Sequence, residues 1–218
     1  MIHTENLSKR FQQGSSTIFA VNNVFMDIQE GETVAIVGPS GSGKTTLLSL
    51  LAGLERPDQG FVNIDGKRLN DMNEARLTQW RGSHVGFVFQ QFHLMPHLTA
   101  LENVCLPLEI NKITDAANKA QQALQRVGLE ERVDHLPSQL SGGECQRVAI
   151  ARAIVMEPKI LFADEPSGNL DAETGQKVIT LLFDLVLKKQ MTMILVTHDL
   201  DLAKKCHRIL KISGGKLA

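Results

Sequence analysis

The chain has 218 residues, 43% of them hydrophobic, enough for one well-buried core with room for a subdomain. Its formal net charge of −1 gives no general attraction to nucleic acid. It shows no signal peptide and no apolar run approaching a membrane span, so work at a membrane requires a partner that does the spanning.

In chain order, Ile2–Phe11, Phe19–Ile28 and Phe61–Ile64 read as antiparallel strands, with turns at Gly14-Ser15-Ser16, Glu30-Gly31 and Asp65-Gly66. Between them Thr33–Val37 is a short, nearly continuous apolar run, the pattern of a central strand covered on both faces. It leads into Gly38-Pro-Ser-Gly-Ser-Gly-Lys-Thr45, and Thr46–Leu54 then reads as a helix. Strand, glycine-rich loop and helix are the context of a phosphate-binding loop. Glycines at 38, 41 and 43 let backbone N–H groups approach an anion at a helix N-terminus. Lys44 supplies a mobile charge for β- and γ-phosphate oxygens, and the Thr45 hydroxyl suits Mg²⁺. The nucleotide-binding residues expected here are Gly38, Pro39, Ser40, Gly41, Ser42, Gly43, Lys44, Thr45 and Thr46.

Further apolar runs at Val85–Phe89, Ile160–Ala163 and Met193–Val196, separated by helical stretches, predict an α/β layered fold. From about Gln91 to Met156 the pattern is mainly helical, with helices near Ala100–Leu106, Asp115–Val127 and Glu144–Met156. Thr99-x-x-Glu102 and Ser141-x-x-Glu144 are capping boxes that mark two helix starts. The three cysteines, Cys105, Cys145 and Cys206, lack metal-site spacing and read as buried thiols of a reducing compartment.

Three strands end in polar groups. Ile160–Ala163 runs into Asp164 and Glu165; carboxylates at the C-terminal edge of a parallel sheet can face a ligand crevice. Asp164 would hold Mg²⁺ and Glu165 would polarise the attacking water, although an acidic turn before Pro166 is the plainer alternative. Met193–Val196 ends at His198, which is either surface or a group that reaches the γ-phosphate. Gly86-Phe-Val-Phe-Gln90 ends in an amide oxygen suited to Mg²⁺ or water.

Leu140-Ser-Gly-Gly-Glu-Cys-Gln-Arg147 adds the decisive motif. With it, the chain resembles the ATP-binding subunits of ABC transporters from end to end. The matching segments are Gly38–Thr45, the glutamine loop at Gln90, the signature Leu140–Glu144, the Walker B segment Ile160–Glu165, the D-loop Ser167-Gly-Asn-Leu-Asp171 and the switch His198. The resemblance implies a P-loop NTPase core with an N-terminal antiparallel β subdomain and a helical insert. All 218 residues would form one ABC ATPase domain, with the core at about 1–90 and 157–218 and the helical signature subdomain at about 91–156. It also implies that Phe11 stacks on adenine and that Val21 flanks the ribose. A head-to-tail homodimer would hold two ATP molecules, each between one subunit's Gly38–Thr45 loop and the other's Ser141, Gly142 and Gly143, with Asp171 nearby. Glu165, His198 and Lys44 would be catalytic, and Thr45, Gln90 and Asp164 would hold Mg²⁺. Cys145 departs from the family, which often has Gln or Arg there.

Read without the resemblance, Ser141-x-x-Glu144 is a helix cap. Its two glycines lower helix propensity, as they would if a ligand must approach the backbone.

Within the family the likeness is to the LolD/MacB/YbbA-like group, through Gly86-Phe-Val-Phe-Gln-Gln-Phe-His-Leu-Met-Pro96, Leu101-Glu-Asn-Val104 and Phe162–Asp171. The early C-terminus after Gly214-Gly-Lys-Leu is another mark of the likeness, which implies no added C-terminal regulatory domain. The group implies lipoprotein release or efflux, an integral permease with a large extracytoplasmic domain, and a peripheral position on the cytoplasmic side of the inner membrane. Phe92, Leu94, Met95 and Leu98 suit a permease docking groove; packing within the insert is their other reading. Rival functions are an FtsE-like regulator of cell division, a soluble ABC ATPase of DNA repair, chromosome structure or translation, and a small-molecule kinase. The last leaves Leu140–Glu144 and His198 unused, and the second usually carries coiled coils or zinc modules that this length does not hold.

Overall fold

The computed structural model describes residues 1–14 and 16–217, so the turn expected at Gly14-Ser15-Ser16 falls partly outside the described residues. The chain opens with β1 (Ile2–Gln13), β2 (Ser16–Ile28), β3 (Thr33–Val37) and α1 (Lys44–Leu51), then β4 (Gln59–Ile64) and β5 (Lys67–Arg68). Next come α2 (Glu74–His84), β6 (Val85–Val88), α3 (Ala100–Ile110), α4 (Ala116–Arg126) and α5 (Gly142–Ile154). The last elements are β7 (Ile160–Asp164), α6 (Ala172–Lys188), β8 (Thr192–Val196), α7 (Leu200–Ala203), β9 (Arg208–Ser213) and β10 (Lys216–Leu217). Two compact units result: Met1–Arg81 with Thr192–Ala218, and Gly82–Met191.

The first unit holds an antiparallel sheet in the order β2-β1-β4-β5. Its other strands set β3 parallel to both β8 and β9, with β10 antiparallel to β9. All five residues of β3 and of β8 are buried, as their nearly continuous apolar runs require of strands covered on both faces. α1 packs Leu47, Leu48, Leu50 and Leu51 inward, each worth roughly 1.5–3 kcal/mol relative to exposure. The β1–β2 register shifts between Thr4 and Leu7 and again before Arg10. Asn6, at φ 50°, takes up the first shift; a short polar side chain tolerates that left-handed backbone.

In the second unit β6 runs parallel to β7, from Val85 opposite Ile160 to Val88 opposite Ala163. Both expected capping boxes are formed. Thr99 Oγ1 accepts from the Glu102 N–H while Glu102 Oε2 accepts from the Thr99 N–H, and Ser141 and Glu144 do the same. α3 runs through Pro107 to Ile110 instead of ending near Leu106, because burying Leu108 outweighs the hydrogen bond that Pro107 cannot make. α5 starts two residues earlier than expected and takes Gly142 and Gly143 into its first turn. Nothing in the sequence pattern points to α2, whose only buried residues are Leu77 and Trp80.

Candidate functional site

The glycine loop connects β3 to α1. Gly43 is the N-cap of α1 at φ 101°, and a side chain there would run into the Ala20 carbonyl, so only glycine fits. No side chain caps α1 and no acidic residue sits in its first turn, which leaves the positive end of the helix to an anion. Lys44 Nζ donates to the carbonyls of Gly38 at 2.9 Å and Pro39 at 3.0 Å, so the loop curls around its own cation. Ser42 is buried and its Oγ makes no hydrogen bond, while Thr45 is exposed and Thr46 half-buried.

Elsewhere in this unit Phe11 is 45% exposed, with Lys9 Nζ 5.5 Å from its ring centroid: a flat apolar surface beside a cation. Val21 is different. Its side chain has no exposed surface, so the expected ribose contact does not fit; it is core. The preceding Ala20, half-buried, is the residue whose carbonyl abuts the glycine loop. His198 is exposed, two residues past the end of β8.

The second unit carries the acids. Asp164 is the last residue of β7, and Glu165 follows with φ 46°. A left-handed non-glycine residue costs roughly 1–2 kcal/mol and persists only where its surroundings hold it. Two contacts do so here: the Gly168 N–H donates to the Glu165 carbonyl at 2.9 Å, and the buried Pro166 carbonyl accepts from Gln146 Nε2 at 2.7 Å. Gln90 is exposed and tied to the same loop. Asn169 Nδ2 donates to the Gln90 carbonyl at 3.0 Å, and Gln90 Nε2 donates to Asn169 Oδ1 at 3.4 Å. Asp171 caps α6; the backbone N–H of Thr174, then its hydroxyl, hold the carboxylate below its ordinary pKa.

At the start of α5, Ser141 and Gly142 are exposed and Gly143 is buried. Glu144 is held below the usual carboxylate range, first by the Ser141 backbone N–H, then by its hydroxyl and by Arg132, whose Nε lies 3.2 Å away. The two glycines have different reasons. A Cβ on Gly143 would overlap the Thr174 methyl of α6, whereas one on Gly142 would meet Leu170 Cδ2 at 3.3 Å and Phe92 Cζ at 3.8 Å, both ends of flexible side chains. Ligand approach is therefore not needed to explain Gly143; helix packing is enough. Cys145 is buried, donates to the Pro137 carbonyl at 3.5 Å, and has its thiol pKa raised by burial.

Gln90, Ser141–Gly143, Asp164, Glu165 and Asp171 thus belong to one unit, and Phe11, the glycine loop and His198 to the other. Sequence reasoning gave no role to Asn103, Gln146, Arg152 or Asn169, although the motifs it singled out run through Asn103, Gln146 and Asn169. Asn103 is fully buried: its Nδ2 serves the Met95, Leu98 and Thr99 carbonyls, and its Oδ1 accepts the Met95 N–H. The one available signal was a polar residue at an inward helical position.

The ABC transporter family pattern matches residues 21–168. The uncharacterized ABC transporter ATP-binding protein YbbA of Escherichia coli (strain K12) is 48% identical over all of this chain and 96% of that protein. The lipoprotein-releasing system ATP-binding protein LolD of Pseudomonas syringae pv. tomato is 44% identical, with the same coverage. Among solved structures, the ATP-binding cassette MJ0796, dimeric and bound to ADP and Pi, superposes with a TM-score of 0.92 at 42% identity, over all of this chain and 96% of that one. The chain belongs to the ABC transporter family, as an ATP-binding and ATP-hydrolysing subunit of the LolD/YbbA type.

Proposed function

We propose that this subunit powers a membrane permease in lipoprotein release or efflux through ATP-driven closure of a head-to-tail homodimer. The observation that carries the reading is the full-length likeness to a lipoprotein-releasing ATP-binding protein, joined to the likeness to a cassette solved as a dimer. Among the described residues no helix is long and apolar enough to cross a membrane, so the permease does the spanning at the inner membrane. Phe92, Leu94 and Leu98 are half-buried and Met95 is 49% exposed, which supports this segment as the docking surface.

At the site, Phe11 stacks on adenine and the Gly38–Thr46 backbone wraps the phosphates. Lys44 exchanges its bonds to Gly38 and Pro39 for bonds to phosphate oxygens. Ser141 and Gly142 of the second copy meet the γ-phosphate. Thr45 offers a hydroxyl, Gln90 an amide oxygen and Asp164 a carboxylate, oxygen donors of the kind that would hold Mg²⁺. Among the described residues no cluster of three or more His, Cys, Asp or Glu could hold a metal alone, consistent with an ion shared with phosphate and water. Bound there, Mg²⁺ would neutralise phosphate charge. Glu165 takes the proton of the attacking water, and His198 orients that water and the γ-phosphate.

The test is Glu165→Gln. Turnover should fall about a hundredfold or more with ATP affinity retained. Light scattering should then show dimer accumulating with ATP. Turnover near wild type would refute the general-base assignment.

A further inference from the structure

Two side chains of α5 grip the backbone on either side of Gln90. Gln146 is completely buried, and its Nε2 donates to the Phe89 carbonyl at 3.3 Å and to the Pro166 carbonyl at 2.7 Å. Two carbonyls at one end of an amide can only be met by its NH₂, which fixes the orientation of the group. Its Oε1 is left buried without a hydrogen-bond partner. That is a cost which an apolar residue of the same length would not carry. Six residues on, Arg152 donates to the Phe92 carbonyl at 2.8 Å and to the His93 carbonyl at 2.7 Å, where His93 holds φ 48°. Burial alone lowers the Arg152 pKa. These side chains thus hold carbonyls 89, 92 and 93 on both sides of Gln90, while Gln146 also holds the residue after Glu165.

We propose that Gln146 and Arg152 are positioning residues for hydrolysis. They set the Gln90 segment against the Glu165 loop and fasten both to the helix that begins at Ser141. The inference rests on the reading above in which Gln90 serves Mg²⁺ or the attacking water. Gln146 reaches the reaction only through backbone carbonyls, and by setting the Gln90 segment it acts through Gln90. Arg152 carries the Gln90 side alone.

The test is a double-mutant cycle on the full chain: wild type, Gln90→Ala, Gln146→Met and the pair, assayed for ATP hydrolysis at varied ATP and Mg²⁺. Gln146→Met keeps the length and removes the donor. Alone, it should lower kcat about tenfold, leave the ATP KM within about twofold, and raise the Mg²⁺ concentration for half-maximal rate. In the Gln90→Ala background it should cost less than about twofold more, because coupled residues are not additive. An equal loss in both backgrounds, with no Mg²⁺ shift, would overturn the proposal and leave the function intact. A Gln90→Ala protein as active as wild type would overturn the reading of Gln90 and the proposal with it. If thermal melting shows that Gln146→Met does not fold, Arg152→Lys, which retains the charge but not the two-pronged grip, runs the same cycle with the same criteria.

Discussion

Replacing Gly143 with alanine separates packing from ligand approach at the start of α5. The added methyl would overlap Thr174 Cγ2. Thr174 cannot simply rotate away, because its side chain is β-branched and stiff at χ1 within α6. Overpacking costs about 1–3 kcal/mol, while Gly→Ala inside a helix gains about 1 kcal/mol. The net expectation for Gly143→Ala is a loss of up to about 2 kcal/mol. Thr174→Ser removes the obstructing methyl and keeps the hydroxyl. In that background the same change should turn neutral or stabilising, by up to about 1 kcal/mol. Gly142→Ala, whose Cβ meets Leu170 Cδ2 at 3.3 Å and Phe92 Cζ at 3.8 Å, should be neutral or stabilising in the wild-type background, because the end of the Leu170 side chain can shift by a few tenths of an ångström. Urea unfolding of these variants measures each value. If Gly143→Ala destabilises equally beside Thr174→Ser, the packing argument fails. ATPase assays of the stable double variant then ask whether nucleotide also needs a glycine there.

The folded-state pKa of Glu144 lies below its unfolded value, so its stabilisation is complete above that unfolded value, about 4.3, and is lost as pH falls through the folded one. Glu144→Gln keeps the capping acceptor and loses the charge. It should cost about 0.5–1 kcal/mol at pH 7, a difference that shrinks on acidification below pH 4. Urea unfolding at both pH values checks this, and an unchanged gap would contradict it. All three cysteines are buried, and burial pushes the Cys206 thiol up to about 11. The native protein should therefore resist a chromogenic disulfide reagent at pH 8, with all three thiols reacting in guanidinium. Rapid labelling of the native protein at any of them would refute this.

The sequence by itself determined the features whose physics is local. The glycine loop is contiguous, with its N–H groups, lysine and hydroxyl within eight residues, so its chemistry was readable from the letters. Each of the two capping boxes spans four residues, and β3 and β8 showed their burial as nearly continuous apolar runs. The tertiary structure decided what depends on which face a residue shows and on what lies across from it. Successive strand residues point to opposite faces, so one position separates the core side chain of Val21 from Ala20 beside the loop. Gly143 is a glycine because of Thr174, and the carbonyls around Gln90 are held by side chains 57 to 60 residues further along the chain. Such contacts leave no periodic mark, because a donor and the carbonyl it meets are neighbours only once the chain has folded.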